Sequence, residues 1–296
     1  MSDRRRFAIV MNPASAGGKP LRLLPRVRGV LGAAGAGLDV IETQDIPHAA
    51  SAALEASERG ETVVALGGDG LVGALAGALK GAAPLGILPG GRGNDFARAL
   101  GISQDVGEAC GVLLDGEERA LDLGQANGRA FACIASVGYD SDANRIANDA
   151  RVVRGNLVYL YAGIRALIAW RPTRFQVTLD DREVEFEGYT VGACNTAYYG
   201  GGMKAAPDAD PADGLLDVLF LKRTSKPRFL ARVLPKVFSG THVELDEIEV
   251  HRAREVTVRA DRPFDVYADG DPITTLPVTV RLIPGALRVI APAAPR

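Results

Sequence analysis

Short apolar runs alternate with amphipathic stretches along the first third of the chain. The runs predict buried strands at residues 7–11, 38–42, 62–66 and 85–88. The stretches between them have helical periodicity, at residues 20–31, 47–59 and 71–79. Strands that alternate with helices of this length form parallel sheets covered on both faces. The pattern therefore predicts a Rossmann-like α/β domain with a parallel sheet at residues 1–122.

The pattern changes after residue 122. Two predicted strands, at residues 119–123 and 129–137, precede predicted helices at residues 140–150 and 156–170. From Arg174 onward apolar and polar residues mostly alternate between turn clusters, which is typical of an antiparallel sandwich. The exception is residues 222–238, which predict a helix. We therefore expect a C-terminal antiparallel β-sandwich domain at residues 123–296, with the last residues able to return to the first domain, and a ligand site in the cleft between the domains.

Composition narrows the function classes. The 296 residues carry 34 basic and 36 acidic side chains, so nucleic acid is not an expected partner. The three cysteines, Cys110, Cys133 and Cys194, match no metal-binding spacing and are odd in number. No apolar run approaches the roughly 18 residues of a membrane-spanning helix. We expect a soluble cytoplasmic protein whose contact with a membrane, if any, is peripheral.

A glycine-rich turn, Gly67-Gly68-Asp69-Gly70, follows the third predicted strand and precedes a helix. Glycines let the backbone approach a ligand closely, and the N-terminus of a helix offers unpaired N–H groups to phosphate. Asp69 would repel phosphate unless a metal ion lies between them, and a carboxylate beside phosphates is typical of a Mg²⁺ site. The alternative is a tight turn that needs glycine only for its backbone.

Two further loops have the same setting. Residues 90–95 follow the fourth predicted strand, and residues 12–19 follow the first. Because the carboxyl ends of parallel strands meet at one edge of the sheet, we expect the three loops to lie together there. A Gly-x-Gly-x-x-Gly pattern at residues 68–73 follows the third strand rather than the first, so it indicates a dinucleotide site only weakly.

Two groups of aspartates in the second half are candidates for acid–base or metal chemistry. Asp269 and Asp271 flank Gly270, where they could share a metal ion or raise one another's pKa, or simply form a hairpin turn. A second, proline- and glycine-rich loop contains Asp208, Asp210, Asp213 and Asp217. Carboxylate oxygens on a compact loop suit Mg²⁺ or Ca²⁺, although such a loop can also be merely solvated.

Taken together, these segments resemble the diacylglycerol kinase catalytic-domain family, which includes bacterial lipid kinases and sphingosine kinases. The resemblance spans nearly the whole chain, and the motifs occur in the order of the family. The matching segments are residues 12–13, 67–70, 93–98, 122–124, 138–140, 199–203, 206–209, 213–217 and 269–271.

The resemblance implies ATP and Mg²⁺ as cofactors and assigns site residues. The residues implied to surround ATP are Asn12, Thr43, Gly67, Gly68, Asp69, Gly70, Gly73, Gly91, Arg92, Gly93 and Asn94. A structural Mg²⁺ is implied at the Asp213 side chain with groups at Asp210 and Leu215, while Asp69 and Asp122 would organise catalytic Mg²⁺. The pair Asp269 and Asp271 would supply the general base, so the implied catalytic residues are Asp271, Asp269 and Asp69.

This chain departs from the family at four positions. Leu71 and Gly73 stand where the family usually has Thr and Asn, and Arg92 stands where it usually has Thr. Arg92 could replace a lost hydroxyl with a bidentate contact to phosphate. The last motif ends in Asp271 rather than Glu, which leaves open which carboxylate of the pair reaches the acceptor hydroxyl.

A run of cations accompanies the predicted helix at residues 222–238. An apolar stripe with cations on the other face can lie on an anionic membrane surface, or can pack on the sandwich with its cations in water. Trp170, Tyr198 and Tyr199 could line a groove for an acyl chain or belong to the core. We predict an ATP- and Mg²⁺-dependent lipid kinase that phosphorylates a hydroxyl of a diacylglycerol-like lipid by in-line transfer. The alternatives are a soluble-substrate kinase of the NAD kinase type and a nucleotide-binding module that has lost catalysis; a homodimer is left open.

Overall fold

The computed structural model describes residues 5–149 and 157–293 and divides the chain into two compact units. The first unit comprises residues up to Leu123 together with those from Pro284 onward, and the second is Gly124–Ile283. The chain passes from one unit to the other within two strands, β5 (Glu117–Ala126) and β17 (Val278–Ala291).

A parallel sheet forms the centre of the first unit, as the alternation of apolar runs predicts. Its first four strands are β1 (Arg6–Met11), β2 (Gly37–Glu42), β3 (Thr62–Gly67) and β4 (Leu85–Pro89). The order across the sheet is β17–β4–β3–β1–β2, and every neighbouring pair is parallel. Strands β1 and β3 have six residues each, and in each strand four consecutive residues are apolar and fully buried: Ala8–Met11 in β1 and Val63–Leu66 in β3. This burial explains why both strands read as unbroken apolar runs.

Five helices cover this sheet. They are α1 (Lys19–Ala33), α2 (Ile46–Glu58), α3 (Asp69–Leu79), α4 (Asp95–Ala99) and α5 (Val106–Asp115). The chain moves in one direction across the sheet from β1 to β2 and in the other direction from β2 to β3 and β4. Because such crossovers are right-handed, α1 lies on one face and α2 and α3 lie on the other. Contacts between α1 and α5 and between α2 and α3 agree with two helical layers.

The second unit is an antiparallel β-sandwich, also as predicted. The strands that follow β5 are β6 (Arg129–Phe131), β7 (Ile134–Gly138), β8 (Thr173–Leu179), β9 (Arg182–Cys194), β10 (Tyr198–Tyr199), β11 (Met203–Lys204), β12 (Leu216–Lys222), β13 (Ile248–Ala253), β14 (Glu255–Ala260), β15 (Asp265–Ala268) and β16 (Asp271–Thr275). The first half of β9 pairs with β8, and its second half pairs with β7 on one side and β12 on the other. The long strand β9 thus belongs to both layers.

Helices of the second unit are α6 (Tyr139–Asp149), α7 (Leu157–Ala169) and the short α8 (Lys226–Arg228). They agree with the helices predicted at 140–150 and 156–170, whose residues 150 and 156 lie outside the described ranges. Within those ranges, no helix is both long enough and apolar enough to cross a bilayer.

Two predicted elements differ from the structure. The strand predicted at 129–137 is two strands, β6 and β7, because the backbone at Ala132 and Cys133 turns its N–H groups toward the side chain of Asp269. The helix predicted at 222–238 begins as the end of β12 and continues after Lys222 as three short helical pieces: α8, a π-helical turn at Phe229–Val233 and a 3-10 turn at Leu234–Lys236. Pro235 cannot donate the backbone hydrogen bond of a regular helix, which explains the change of helix type beside it.

An aromatic cluster forms the centre of the second unit. Trp170 is almost fully buried, and its ring stacks on Tyr189 and Phe264 at centroid distances of 6.0 and 5.6 Å. Of the two interpretations of Trp170, core packing is therefore the correct one.

Candidate functional site

Two glycine loops touch at the carboxyl edge of the parallel sheet. The N–H of Gly90 donates to the carbonyl oxygen of Gly67 at 2.8 Å. A Cβ atom placed on Gly91 would lie 2.3 Å from the Cα atom of Gly68, well inside any allowed contact. Glycine is therefore required here by the approach of one loop to the other, in addition to any approach of a ligand.

This edge is also where the strand order reverses. The chain leaves β1 toward β2 and leaves β3 toward β4, so the crevice between β1 and β3 is the switch point where open α/β sheets bind ligands. The loop at residues 12–18 leads from β1 to the N-terminus of α1, and Gly68 is the N-cap of α3. The N–H groups at both helix starts favour an anion.

Three cations gather beside the loops. The Nζ atom of Lys19 donates to the carbonyl oxygen of Gly91 at 3.0 Å. Burial lowers the pKa of Lys19, and the nearby charges of Arg22 and Arg98 lower it further. Repulsion among these cations is relieved by a polyanion, so the arrangement suits a phosphate chain. The residue assignments made from the sequence omit all three; Lys19 could have been found as the last residue of the first loop.

Asp69 and Asn94 hold the loops in shape. The Oδ1 atom of Asp69 accepts the N–H of Phe96 at 2.9 Å, which ties the start of α3 to the start of α4. Asn94 is buried in the left-handed conformation, and its Oδ1 atom accepts the N–H of Gly91 at 2.7 Å. Burial raises the pKa of Asp69, while the backbone N–H groups that it accepts oppose that shift.

The remaining residues assigned to ATP differ in accessibility. Asn12 accepts the N–H of Ala14 at 2.9 Å, and the buried hydroxyl of Thr43 donates to the carbonyl oxygen of Met11 at 3.1 Å. Gly70 is half-buried at the start of α3, whereas Gly73 is buried inside that helix and Gly93 is buried in the second loop. Arg92 is exposed and can therefore reach a ligand from solvent.

Asp122 connects two strands of the first unit. It is buried in β5, and its Oδ1 atom accepts the N–H of Gly285 in β17 at 2.8 Å. The resemblance assigns Asp122 to catalytic Mg²⁺; in the structure this carboxylate anchors the returning strand.

The acidic loop of the second unit brings Asp213 and Asp217 to one arginine. Asp213 pairs with Arg252 and accepts the N–H of Leu215 at 3.0 Å, and Asp210 accepts the N–H of Ala212 at 3.0 Å. Asp217 is buried, and its Oδ2 atom has no hydrogen-bond partner among the described residues.

Burial and the charge of Asp208 raise the pKa of Asp217 to about 6. The free Oδ2 atom of Asp217 is an oxygen donor of the kind that Mg²⁺ prefers, but Arg252 pairs with Asp213 and its Nε atom lies 3.9 Å from the Oδ1 atom of Asp217. Asp217 is a donor that the assigned set of Asp210, Asp213 and Leu215 lacks. Across the described ranges, no three His, Cys, Asp or Glu side chains are gathered closely enough to hold a metal ion by themselves.

Asp269 and Asp271 lie in different environments although they are two residues apart. Asp269 and Gly270 form the two-residue turn between β15 and β16, both with positive φ (49° and 91°). This is the hairpin geometry that Asp-Gly favours, so Asp269 is in a turn and does not share a strand face with Asp271. The Asp269 carboxylate accepts the N–H groups of Ala132, Cys133 and Ile134 at 2.7, 2.9 and 3.1 Å.

The backbone of Asp271 pairs with Ala268 at the start of β16, whereas its carboxylate makes no hydrogen bond or ion pair with another described side chain. Desolvation by the surrounding protein raises the pKa of Asp271 above its ordinary value. Its lone pairs are therefore available to accept a proton, whereas those of Asp269 are used to hold the backbone between β6 and β7.

An apolar pocket lies within the second unit. Its wall is formed by α6, α7, the helical pieces after α8 and strands of one layer. Apolar lining residues include Ile134, Ala143, Met203, Leu219, Val233 and Leu234. Tyr199 lines this pocket and also packs against the core of the second unit, while Trp170 does not line the pocket.

One carboxyl group, that of Asp140, faces this apolar pocket. Burial raises the pKa of Asp140 to about 7, because water is replaced by apolar side chains around it. The other lining residues with polar side chains are neutral or weakly basic: Tyr139, Asn144, Thr190, Tyr199 and His242. The sequence offered Asp140 only as part of a matching motif and assigned it no role.

Comparison with known proteins identifies relatives of both units. The model of the diacylglycerol kinase catalytic domain matches residues 6–126, and the model of the YegS C-terminal NAD kinase beta sandwich-like domain matches residues 133–291. The diacylglycerol kinase of Mycobacterium tuberculosis (strain ATCC 25618 / H37Rv) is 37% identical over 269 residues, covering 86% of each chain. The diacylglycerol kinase of Bacillus subtilis (strain 168) is 30% identical over 276 residues, covering 90% of each chain.

The fold also has a solved counterpart. The crystal structure of a diacylglycerol kinase from Bacillus anthracis str. Sterne superposes with a TM-score of 0.75 at 22% identity, covering 98% of each chain. The likeness extends over both the parallel sheet and the sandwich. These comparisons confirm the resemblance inferred from the motifs.

Proposed function

Because the chain belongs to the family of diacylglycerol kinases and YegS-like lipid kinases, we propose that it transfers the γ-phosphoryl group of ATP to a hydroxyl of a diacylglycerol-like lipid at a membrane surface. The observation that carries the lipid acceptor is the apolar pocket of the second unit. A pocket with mostly apolar walls suits the apolar chains of a lipid. The acceptor of a NAD kinase is charged, so it would gain little from contact with these apolar walls.

The glycine-loop cluster of the first unit supports ATP as the donor. Helix N-termini and the three cations Lys19, Arg22 and Arg98 offer N–H groups and positive charge to a triphosphate. Mg²⁺, when bound, neutralises charge on the phosphates during in-line transfer. In this proposal Asp69 keeps the two loops together, and Arg92 contacts phosphate from the solvent side.

Asp271 is the proposed general base. A base must accept a proton from the lipid hydroxyl, and a carboxylate with free lone pairs and a raised pKa is suited to that role. Asp269 positions the backbone of the same hairpin, so the proposal separates two residues that the sequence could not distinguish. Asp210, Asp213, Leu215 and Asp217 would hold the structural Mg²⁺.

A transfer assay tests the proposal. Labelled ATP and Mg²⁺ are supplied with dispersed diacylglycerol and, in a parallel reaction, with NAD. We expect labelled lipid phosphate and no labelled NADP. Labelled NADP without labelled lipid would show a soluble-substrate kinase, and nucleotide binding without transfer to either acceptor would show a module that has lost catalysis.

Substitutions at Asp269 and Asp271 test which carboxylate of the pair is the base. Asp271→Asn should lower kcat about 10²–10⁴-fold with an unchanged melting temperature, because it removes the base and no structural bond. Asp269→Ala should instead lower the melting temperature, because three backbone N–H groups lose their acceptor. Asp265→Asn, an exposed change at the other end of the hairpin, is the control. A fall in kcat equal for Asp265→Asn and Asp271→Asn would remove Asp271 as the base.

A further inference from the structure

Exposed apolar side chains of the second unit concentrate on α7 and on the helical segment 226–238. Among the described residues, eleven large apolar side chains are exposed, and six belong to these two segments. They are Leu160, Tyr161, Ile164, Ile168, Leu230 and Phe238. Single exposed apolar residues are ordinary on a protein surface, but a concentration of this kind indicates an interaction site. We call these six side chains the exposed apolar face.

The residues of α7 form one continuous stripe. Leu160, Ile164 and Ile168 follow one another at intervals of four residues, so they lie on one side of the helix. Ile168, the last of them, is 71% exposed. The opposite side of α7 is buried at Ala162 and Ala166. A surface helix normally has polar residues where this stripe lies.

The two segments are neighbours. The Nζ atom of Lys226 donates to the carbonyl oxygen of Ile168 at 2.7 Å, which brings the end of α7 to the start of the second segment. Leu230 follows Lys226 by about one helical turn. The inner sides of both segments line the apolar pocket, through Gly163 in one and Phe229 and Val233 in the other. The same two segments therefore contribute both to the exposed apolar face and to the wall of the pocket.

Charge on these segments has a single sign. Residues 157–172 and 222–238 contain eight Lys and Arg and no Asp or Glu. Lys222 and Arg223 pair with Glu249 and Glu187 of neighbouring strands, and Arg228 pairs with Glu247 in the turn before β13. Other cations of the segments make no ion pair with any described residue: Arg165, Arg171, Lys226, Arg232 and Lys236.

We propose that the exposed apolar face, with these five cations around it, docks on an anionic lipid bilayer and brings the apolar pocket to the membrane. An apolar surface on two segments that carry cations and no acidic residue of their own matches the boundary between acyl chains and anionic headgroups. A second copy of the chain is a poorer occupant, because a two-fold interface would set the same cations against one another. The proposal rests on the proposed function for its purpose and on the exposed residues for its geometry.

Binding to vesicles tests the proposal without any need for catalysis. The full chain is sedimented with vesicles of phosphatidylcholine alone and with an equal mixture of phosphatidylcholine and phosphatidylglycerol. We expect stronger binding to the anionic vesicles and weaker binding as salt increases. The double variant Ile164→Glu with Ile168→Glu should lower the partition coefficient about tenfold or more. It removes apolar area that the bilayer would bury, and it adds two negative charges that anionic headgroups repel.

A matched control separates the face from general effects of a new carboxylate. Leu54 is exposed to a similar degree as Leu160, on α2 of the first unit. Leu54→Glu should leave vesicle binding unchanged. Equal loss of binding in Leu54→Glu and in the double variant would overturn the proposal, as would failure of the unaltered chain to bind anionic vesicles.

Two further measurements distinguish this proposal from the proposed function. Phosphorylation of a short-chain diacylglycerol dispersed below its aggregation limit should be the same for the unaltered chain and the double variant, because that acceptor needs no bilayer. Vesicle binding without any lipid phosphorylation would overturn the proposed function and leave the docking face supported. Light scattering gives the mass in solution; a dimer that the double variant dissociates, without any effect on vesicle binding, would assign the face to a second copy and overturn the proposal.

Discussion

The glycine-loop cluster of the first unit and the apolar pocket of the second unit hold their polar groups in opposite ways. In the loop cluster the polar groups bond to backbone groups of the loops: Asp69 to Phe96 and Lys19 to Gly91 between segments, and Asn94 to Gly91 within one loop. In the pocket, Asp140 lies among apolar side chains that raise its pKa. The first region is organised by mutual hydrogen bonds and suits a highly charged ligand, whereas the second depends on shape and the exclusion of water.

Breaking the contact between the two loops should have the largest effect. In Gly91→Ala the added Cβ atom would lie 2.3 Å from the Cα atom of Gly68 and 2.9 Å from the Oδ1 atom of Asn94, so the loops must separate. We expect phosphoryl transfer to fall about 100-fold or more, since a shift of about 1 Å in a positioning group has that effect. Steady-state kinetics together with nucleotide-binding calorimetry measure it.

Gly111→Ala is the matched control for this change. Gly111 lies in α5, and a Cβ atom there would have no neighbour within 4 Å. That substitution should raise the free energy of unfolding by roughly 0.5–1 kcal/mol and leave transfer unchanged. Normal turnover in Gly91→Ala would show that the loop contact has no part in binding the nucleotide.

Filling the pocket should have an intermediate and selective effect. Ala143 lies on α6 and lines the pocket, so Ala143→Phe places a ring where an acyl chain is proposed to bind. We expect KM for a long-chain diacylglycerol to rise about tenfold, since roughly 1.5–3 kcal/mol of apolar contact is displaced. Nucleotide binding should not change. An equal loss of activity on short-chain and long-chain acceptors would contradict a role of this pocket in acyl-chain binding.

The smallest expected effect concerns the pH dependence of stability. The pKa of Asp140 is about 7 in the folded protein and ordinary in the unfolded chain, so ionisation opposes folding. The stability that the folded protein gains from keeping this carboxyl group neutral is fully present below about pH 4. It is lost as the pH rises to about 7. Asp140→Asn should therefore be more stable than the unaltered chain at pH 8, on the order of 1–3 kcal/mol, and should lose that advantage toward pH 4.

Denaturant unfolding at the two pH values checks this expectation. Asp142→Asn is the control, because Asp142 lies two residues further along α6 and pairs with Arg145 near the surface. If both variants show the same pH dependence of the unfolding free energy as the unaltered chain, Asp140 is not desolvated in the pocket.

Local periodicity by itself determined most of the fold. Strands β1, β3 and β4 were predictable because a parallel strand buried on both faces must be apolar along its length. The position of the glycine loops at one edge follows from the same sheet, since successive parallel strands end on the same side. The motifs then indicated the family. Two errors, the single strand at 129–137 and the single helix at 222–238, occurred where a distant side chain or a proline interrupts a regular pattern.

Only the tertiary structure decided what each aspartate does locally. Asp69, Asp122 and Asp269 look equivalent to Asp271 in the sequence, yet their oxygens accept N–H groups of Phe96, Gly285 and Ala132. Those partners lie 27 to 163 positions away along the chain, so no local pattern could reveal them. The pocket likewise combines residues from Ile134 to Ile248. Periodicity determines which face of an element is buried, whereas a hydrogen bond or a cavity exists only after distant segments have packed.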